Sequence, residues 1–481
     1  MNDLTLKLLI DKSVKRKVHI LSFLLESPTA VPIVELEILC GVSIKTLQQD
    51  IAYLIEMLPE NLRIVIRNKQ NALENVGENI RIHEFVNYLV KNNPLFSVIE
   101  AIFEGKKQSV LRVAEELFIT EATLRKHLVI LKKVLTEYNL TLTTVPLEII
   151  GSEIDIRFFY FHYFRHAHTK AQLEIPDELD NFFNEGLIQT EKAKANLNLD
   201  YQQMIYWFTI TNKRRAQKKY VSLDEGLILK YANNRGYLNF SNNVQKLFET
   251  NTIKIIEELN DQEMLYSYIL LFSVIFYDGD SGGYYFTDDF YRDLDAFDEL
   301  VESYFVQSKL IFSLNMEFNV IVKAFLMNVT LLNDLSPMFQ KVSSQLRRLA
   351  EEKYPETLIN WLDLLKEKAQ FTYPYDVAVS LTLLTAAKAR SHKRVLFCFT
   401  GETTSLSYLK TRALRTVPNE MEVHFYFNHT LDDILLKKGD VDICVFNFQP
   451  LHPLSFSQLI QLSVLPSEAE WAELLLQLHT L

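Results

Sequence analysis

The sequence predicts a mainly helical protein of several domains, and three observations predict it. The chain has 481 residues, several times the usual domain size of roughly 100–150. It holds only 12 glycines and 13 prolines, too few for long flexible linkers or a turn-rich all-β architecture. One order of elements (helix, helix, turn, helix, hairpin) can also be read twice in the first third. The expected organisation is two winged helix-turn-helix domains over 1–76 and 77–160, two all-α bundles over 161–282 and 283–391, and a C-terminal α/β domain over 392–481.

The first unit opens with VKRKVHILSFLLES, whose Val18, Leu21, Leu24 and Leu25 fall on one side of a helix. In VELEILCGVSIKTLQQDIAYLIEML, Gly41 separates two helices, Ser43 is placed to cap the second, and Pro59 follows its end. LRIVIRNKQNALENVG then reads as two short strands about a polar turn, with Leu62, Ile64 and Ile66 alternating against Arg63, Val65 and Arg67. The same order recurs about ninety residues later. PLFSVIEAIFEG is its first helix, SVLRVAEELF its second, Ile119-Thr120 its turn, EATLRKHLVILKKVLTEY its third helix and LTLTTVPLEIIGSE its wing.

From Glu153 to about Ala387 the pattern is helical and rich in Phe, Tyr and Leu, and FYDGDSGGYYF at 276–286 divides it into two bundles of similar length. Over the last ninety residues RVLFCF, TTSLSYLKTRAL, MEVHFYF, TLDDILLKKG and VDICVFNF alternate strand and helix, which implies a parallel sheet.

Composition narrows the function classes. The net charge of −11 is unevenly spread: residues 1–170 hold 21 Lys+Arg against 20 Asp+Glu, and the remainder holds 29 against 41. A polyanion needs a local basic face, and only the first third offers one. Cys40, Cys398 and Cys444 lack C-x-x-C spacing, which fits a reducing cytoplasm and argues against a disulfide framework or a zinc site. No signal peptide is read at the N-terminus. The apolar run Leu265–Tyr277 falls short of the ~20 residues that cross a bilayer. H-E-x-x-H, G-x-S-x-G and Walker motifs are missing, so the expectation is a non-enzyme without cofactor or metal.

The residues expected to touch DNA follow from helical spacing. In the first unit Ile44, Leu47, Ile51 and Leu54 form an inward stripe, which leaves Lys45, Thr46, Gln48 and Gln49 outward. Gln can bond an adenine edge in bidentate fashion, Thr can meet a base or a thymine methyl, and Lys can reach guanine or phosphate. Arg63, Arg67 and Lys69 on the wing suit backbone phosphates. In the second unit Leu124, Leu128, Leu131 and Leu135 point inward, and Thr123, Arg125, Lys126, Lys132 and Lys133 outward.

GVSIKTLQQDIAYL, VAEELFITEATLRKHLVILKKVL and LEIIGSEIDIRFFYFHYF together resemble the Mga family of transcription regulators of Gram-positive bacteria. The resemblance runs along essentially the whole chain. It implies two helix-turn-helix domains, two phosphotransferase-system regulation domains (PRD) and an enzyme IIB-like C-terminal domain. It further implies activation or global regulation, often tied to carbohydrate supply and virulence, with double-stranded DNA as partner and homodimerisation through the C-terminal parts.

Regulation domains of this kind are commonly controlled by phosphohistidine, and here Thr169 to Ser391 contains no histidine. Phosphotransferase-system proteins as partners would therefore have to use the cluster His162, His166 and His168. His162 and His166 are four apart, which is chelate spacing, but no carboxylate or cysteine completes a metal set. CFTGETTS, beginning at Cys398, is similar to the phosphocysteine loop of enzyme IIB proteins and raises the alternative of a phosphocarrier. Phe399, Glu402 and the single glycine oppose that reading, and a buried cysteine closing a strand is the preferred one.

Overall fold

The computed structural model describes residues 3–27, 30–58, 62–67, 70–75, 82–166, 200–249, 260–274, 295–310, 315–389, 393–418, 421–429, 431, 441–450 and 458–480. The chain divides into two compact units, one of Met1–Arg292 with Asn328–Gln345 and the other of Asp293–Met327 with Leu346–Leu481. The glycine-containing divider at 276–286 and, apart from Leu431, the expected helix over TLDDILLKKG lie outside the described residues.

The first unit begins with a short helix, α1 (Asp3–Leu8), that the hydrophobic pattern did not reveal. It is followed by α2 (Lys12–Glu26), whose first turn is closed by the Asp11 carboxylate accepting from the N–H of Ser13 and Val14 at 2.7 and 3.1 Å. Ile20 joins Val18, Leu21 and Leu24 in the core, while Leu25 is exposed. Helices α3 (Ile33–Cys40) and α4 (Ile44–Met57) pack on α2 around Leu21, Leu24, Leu36, Leu47, Ile51 and Leu54. Strands β2 (Leu62–Arg67) and β3 (Gln70–Asn75) form the expected hairpin, and β1 (Val31–Pro32) pairs with β3 to make a three-stranded sheet. Ile64 enters the core, but Ile66 is 55% exposed, so the predicted alternation ends one step early.

A helix the sequence pattern left unread, α5 (Ile82–Val90), leads to the second set. It comprises α6 (Pro94–Phe103), α7 (Val110–Glu116), α8 (Glu121–Thr136) and the hairpin β4 (Thr141–Thr144) and β5 (Leu147–Ile150). Proline at the first position of α6 costs nothing, because that N–H would have no helical partner.

Helix α9 (Glu153–His166) is buried nearly all round, as its run of aromatic residues requires. Phe103 sits 4.7 and 4.6 Å from the rings of Tyr160 and Phe164, and Phe161 stacks on Trp207 at 4.0 Å. Helices Tyr201–Ala216, Glu225–Tyr231, Arg235–Glu249 and Asp261–Leu270 continue this body.

In the second unit the helices Asp298–Ser308, Pro355–Lys368 and Pro374–Lys388 meet where Tyr304 stacks on Trp361 at 3.7 Å and the Trp361 indole donates to Thr385 Oγ1 at 2.8 Å. The α/β part has strands β6 (Arg394–Phe399), β7 (Glu422–Phe427), β8 (Ile443–Phe446) and β9 (Leu459–Gln461), all parallel, in the order β7-β6-β8-β9. Val395, Phe397 and Phe399 face helices Thr403–Thr416 and Glu468–Thr480, and Leu396, Cys398 and Cys444 share the opposite face. Burial on both faces is why RVLFCF reads as a continuous apolar run. Strand β9 and the last helix were not anticipated from the sequence.

Helix Met316–Leu335, within the region expected to be helical, is long and apolar enough to cross a membrane by length and composition. Two-thirds of its apolar window (67%) is buried inside the protein, as in a core helix.

Candidate nucleic-acid interface

Helices α4 and α8 are each positioned by the same local chemistry. Ahead of α4, Gly41 takes φ +62°, a left-handed conformation that ends α3 and turns the chain. Ser43 then caps α4, its hydroxyl accepting from the Thr46 N–H at 3.4 Å and lying 3.1 Å from the Thr46 hydroxyl. Ahead of α8, Phe118 takes φ +56°, and Thr120 caps the helix through the Thr123 N–H at 3.1 Å, with the two hydroxyls 2.8 Å apart. Gly41 corresponds to Phe118, Ser43 to Thr120, Leu47 to Leu124 and Ile51 to Leu128. Through the turn and recognition helix the two sets are therefore offset by 77 residues, rather than the roughly ninety read from the sequence.

Behind α8, Leu124, Leu128, Leu131 and Leu135 are buried together with Val134. Arg125, Lys126, Lys132 and Lys133 are exposed, and Thr123 is half-buried by its capping bond. Arg125 is held by Glu121 one turn earlier, at 2.6 Å. An exposed pair at this spacing contributes only about 0.3–0.5 kcal/mol, so a phosphate can replace Glu121 readily.

Behind α4 the stripe differs from expectation. Leu47, Ile51 and Leu54 are buried, but Ile44 is only half-buried and the fourth inward position belongs to Asp50. Asp50 accepts a short hydrogen bond from Arg16 Nε on α2 and lies 3.7 Å from Lys17 Nζ. The Asp50 bond raises the Arg16 pKa and so holds its charge, although burial opposes it. This pair ties the recognition helix to the scaffold. The apolar spacing gave position 50 no role. The signal that could have found it is the basic run KRK in α2 together with an acid directly beside the apolar stripe of α4.

Lys45, Gln48, Gln49 and Arg63 are exposed, and Thr46 is half-buried against Ser43. The side chain of Arg67 and the whole of Lys69 lie outside the described residues, as do the His166 side chain and His168.

His162 is half-buried among aromatic rings, 4.4 Å from Phe158 and 6.0 Å from Tyr138. Cys398 is fully buried, and that burial pushes its thiol up to about 11. It lies on the face of the sheet opposite helix Thr403–Thr416. The loop that would cradle a phosphate is already satisfied internally. Thr400 N–H donates to Asn447 Oδ1 at 2.8 Å and Gly401 N–H to Asn428 Oδ1 at 3.0 Å. A neutral, enclosed thiol beside occupied amides lacks what a phosphocysteine loop needs, so the phosphocarrier alternative is not favoured.

The set α6–β5 is locked to the helical body. Arg157 of α9 and Glu263 are both fully buried and form a two-pronged pair at 2.8 Å on each arm. Burial works against the Arg157 cation, and its bond to Glu263, together with Tyr266 and Glu153 close by, more than offsets it. Arg214 grips Glu153 at 2.7 and 2.8 Å. Lys219 reaches Glu148 on the wing at 2.7 Å, Gln217 donates to the Phe103 carbonyl at 2.7 Å, and Lys213 meets Glu104 at 2.6 Å.

Residues 78–164 match the Mga helix-turn-helix domain family. Over 267 residues the chain is 22% identical to the capsule synthesis positive regulator AcpA of Bacillus anthracis, covering 54% of each chain. Over 163 residues it is 22% identical to the capsule synthesis positive regulator AcpB of the same organism, covering 34% of each. It is 24% identical over 216 residues to a putative trans-acting regulator of Streptococcus pneumoniae serotype 4, covering 44% of this chain and 42% of that one. The matches thus span about half the length of these relatives or less.

Proposed function

We propose that this Mga-like chain, carrying a Mga helix-turn-helix domain at residues 78–164, is a DNA-binding transcription regulator that reads duplex DNA through both N-terminal sets. The observation that carries the reading is α8. A buried leucine seam fixes it, its exposed face bears Arg125, Lys126, Lys132 and Lys133, and it lies inside the matched segment. In α4 the positions equivalent to Arg125 and Lys126 are Gln48 and Gln49. The second set thus supplies the cationic contacts, and the first supplies amides suited to adenine edges.

The names of the relatives favour positive regulation. We further assign PRD-like character to 161–282 and 283–391 and enzyme IIB-like character to 392–481, with a homodimer as the working form in the cytoplasm. Exposed Leu476, Leu465 and Val464 on the α/β part favour a contact there. Any exchange with phosphotransferase-system proteins is assigned to the His162 and His166 region rather than to Cys398.

Footprinting of the full chain on duplex DNA at two salt concentrations tests the reading. Wild type protects discrete sites, and the Arg125→Ala, Lys126→Ala, Lys132→Ala variant loses protection at the higher salt first. Wild-type protein that protects nothing even at low salt would overturn the assignment.

A further inference from the structure

Packing brings together three lysines that are distant in sequence and were not among the expected DNA contacts. Lys106 and Lys107 lie in the loop entering α7, and Lys218 follows the helix Tyr201–Ala216. The two segments touch. The Gln217 amide donates to the Phe103 carbonyl at 2.7 Å, and a Cβ on Gly105 would stand 3.2 Å from the Gln217 side chain. All three lysines are exposed, and none has an ion-pair partner among the described residues. Three carboxylates border this surface, and each is engaged: Glu104 by Lys213 at 2.6 Å, Glu148 by Lys219 at 2.7 Å, and Glu116, which accepts from Gln108 of the loop at 2.6 Å, by Arg112 at 3.6 Å. Lys107 also acts on Glu148, lowering its pKa alongside Lys219. Six cations against three carboxylates leave a basic surface.

From this we infer that Lys106, Lys107 and Lys218 form a backbone-phosphate contact surface for duplex DNA, so that the helical body itself touches the nucleic acid beside the second recognition helix. The inference rests on the DNA-binding reading above. Two further observations favour a phosphate backbone as the ligand. The surface adjoins the parts of a winged helix that lie over the backbone: the loop leads into α7, and its Gln108 carbonyl accepts from the Leu147 N–H of the wing at 2.9 Å. In addition, Lys218 holds φ +59° at a helix C-terminus, where glycine is the favoured residue. A lysine there keeps a charge at a conformational cost, and a flexible ammonium suits a phosphate.

The test is the salt dependence of binding by the full chain, measured on one protected duplex and one unrelated duplex. The Lys106→Gln, Lys107→Gln, Lys218→Gln variant should bind both more weakly by the same factor. Its plot of log affinity against log salt should be shallower by about 2–3, since each phosphate contact contributes roughly 0.9. Lys218→Gly alone should reduce the slope by about 1 while the thermal midpoint holds or rises, which separates lost contact from lost fold. A slope equal to wild type in both variants overturns the inference. If Arg125→Ala, Lys126→Ala nevertheless weakens binding in that experiment, the regulator reading stands and the lysine surface serves another partner, such as an acidic protein. Wild-type protein that binds neither duplex overturns both.

Discussion

At the scale of single residues, α4 and α8 carry different inward groups at equivalent positions. Position 50 is a buried aspartate paired with Arg16, and the corresponding position in α8 is His127, whose Nδ1 is buried without a hydrogen-bond partner among the described residues. A carboxylate enclosed in this way is tolerated only because Arg16 and Lys17 neutralise it. Asp50→Ala leaves the largely buried Arg16 guanidinium without its anion, and should cost about 2 kcal/mol. Denaturant unfolding of the variant checks this, and an unchanged midpoint would show that Arg16 finds water or another acceptor. Because Asp50 fixes α4 against α2, the same variant should weaken DNA protection, whereas removing a negative charge would by itself strengthen it.

At the scale of elements, the duplication exposes a contrast at the turn. Gly41 and Phe118 occupy the same place and both adopt a left-handed backbone, at φ +62° and +56°. Glycine does so freely, whereas an L side chain costs about 1–2 kcal/mol there. Nothing lies within 4 Å of a Cβ placed on Gly41, so backbone strain alone should set the cost of Gly41→Ala, about 1 kcal/mol. The reverse change should go the other way. Phe118 is 97% exposed, so Phe118→Gly forfeits little packing and should gain up to about 1 kcal/mol after glycine's extra unfolded-state entropy is allowed for. Paired thermal melts of the two variants decide it, and shifts of the same sign would contradict the equivalence of the two turns.

At the scale of the whole molecule, α9, which directly follows the wing of the second set, is joined to the rest of the helical body by charged groups far apart in sequence that are closed off together. Arg157 and Glu263 stand 106 residues apart, and neither is accessible to water. Removing one partner strands the other, so Glu263→Ala should cost about 3–5 kcal/mol, whereas Arg157→Met with Glu263→Leu should cost less than the single change. Unfolding free energies of the single and double variants form the check, and strictly additive losses would mean the pair is not coupled. If the lock also sets the bearing of α8, the double variant should keep its fold while binding DNA with reduced affinity.

The residues themselves decided the helical periodicity of α4 and α8, the caps at Ser43 and Thr120, the two hairpins and the parallel strands RVLFCF and VDICVFNF. Each of these follows from spacing along a single element, and spacing is local information. The Lys45, Gln48, Gln49, Arg125, Lys126, Lys132 and Lys133 positions were legible for the same reason: an outward face is the complement of an inward one. What tertiary structure alone decided is which polar groups the packing would enclose or bring together. Asp50 looks like an exposed residue until α2 brings Arg16 against it. The burial of Cys398 was already the preferred reading of RVLFCF, but that Asn447 and Asn428 occupy the amides of its loop is visible only in the fold. Lys106 and Lys218 share a surface only because Gln217 docks on the loop at Gly105. A charge has no stripe or period to reveal its partner, and its energy depends on distance and on the exclusion of water, which exist only once the chain has folded.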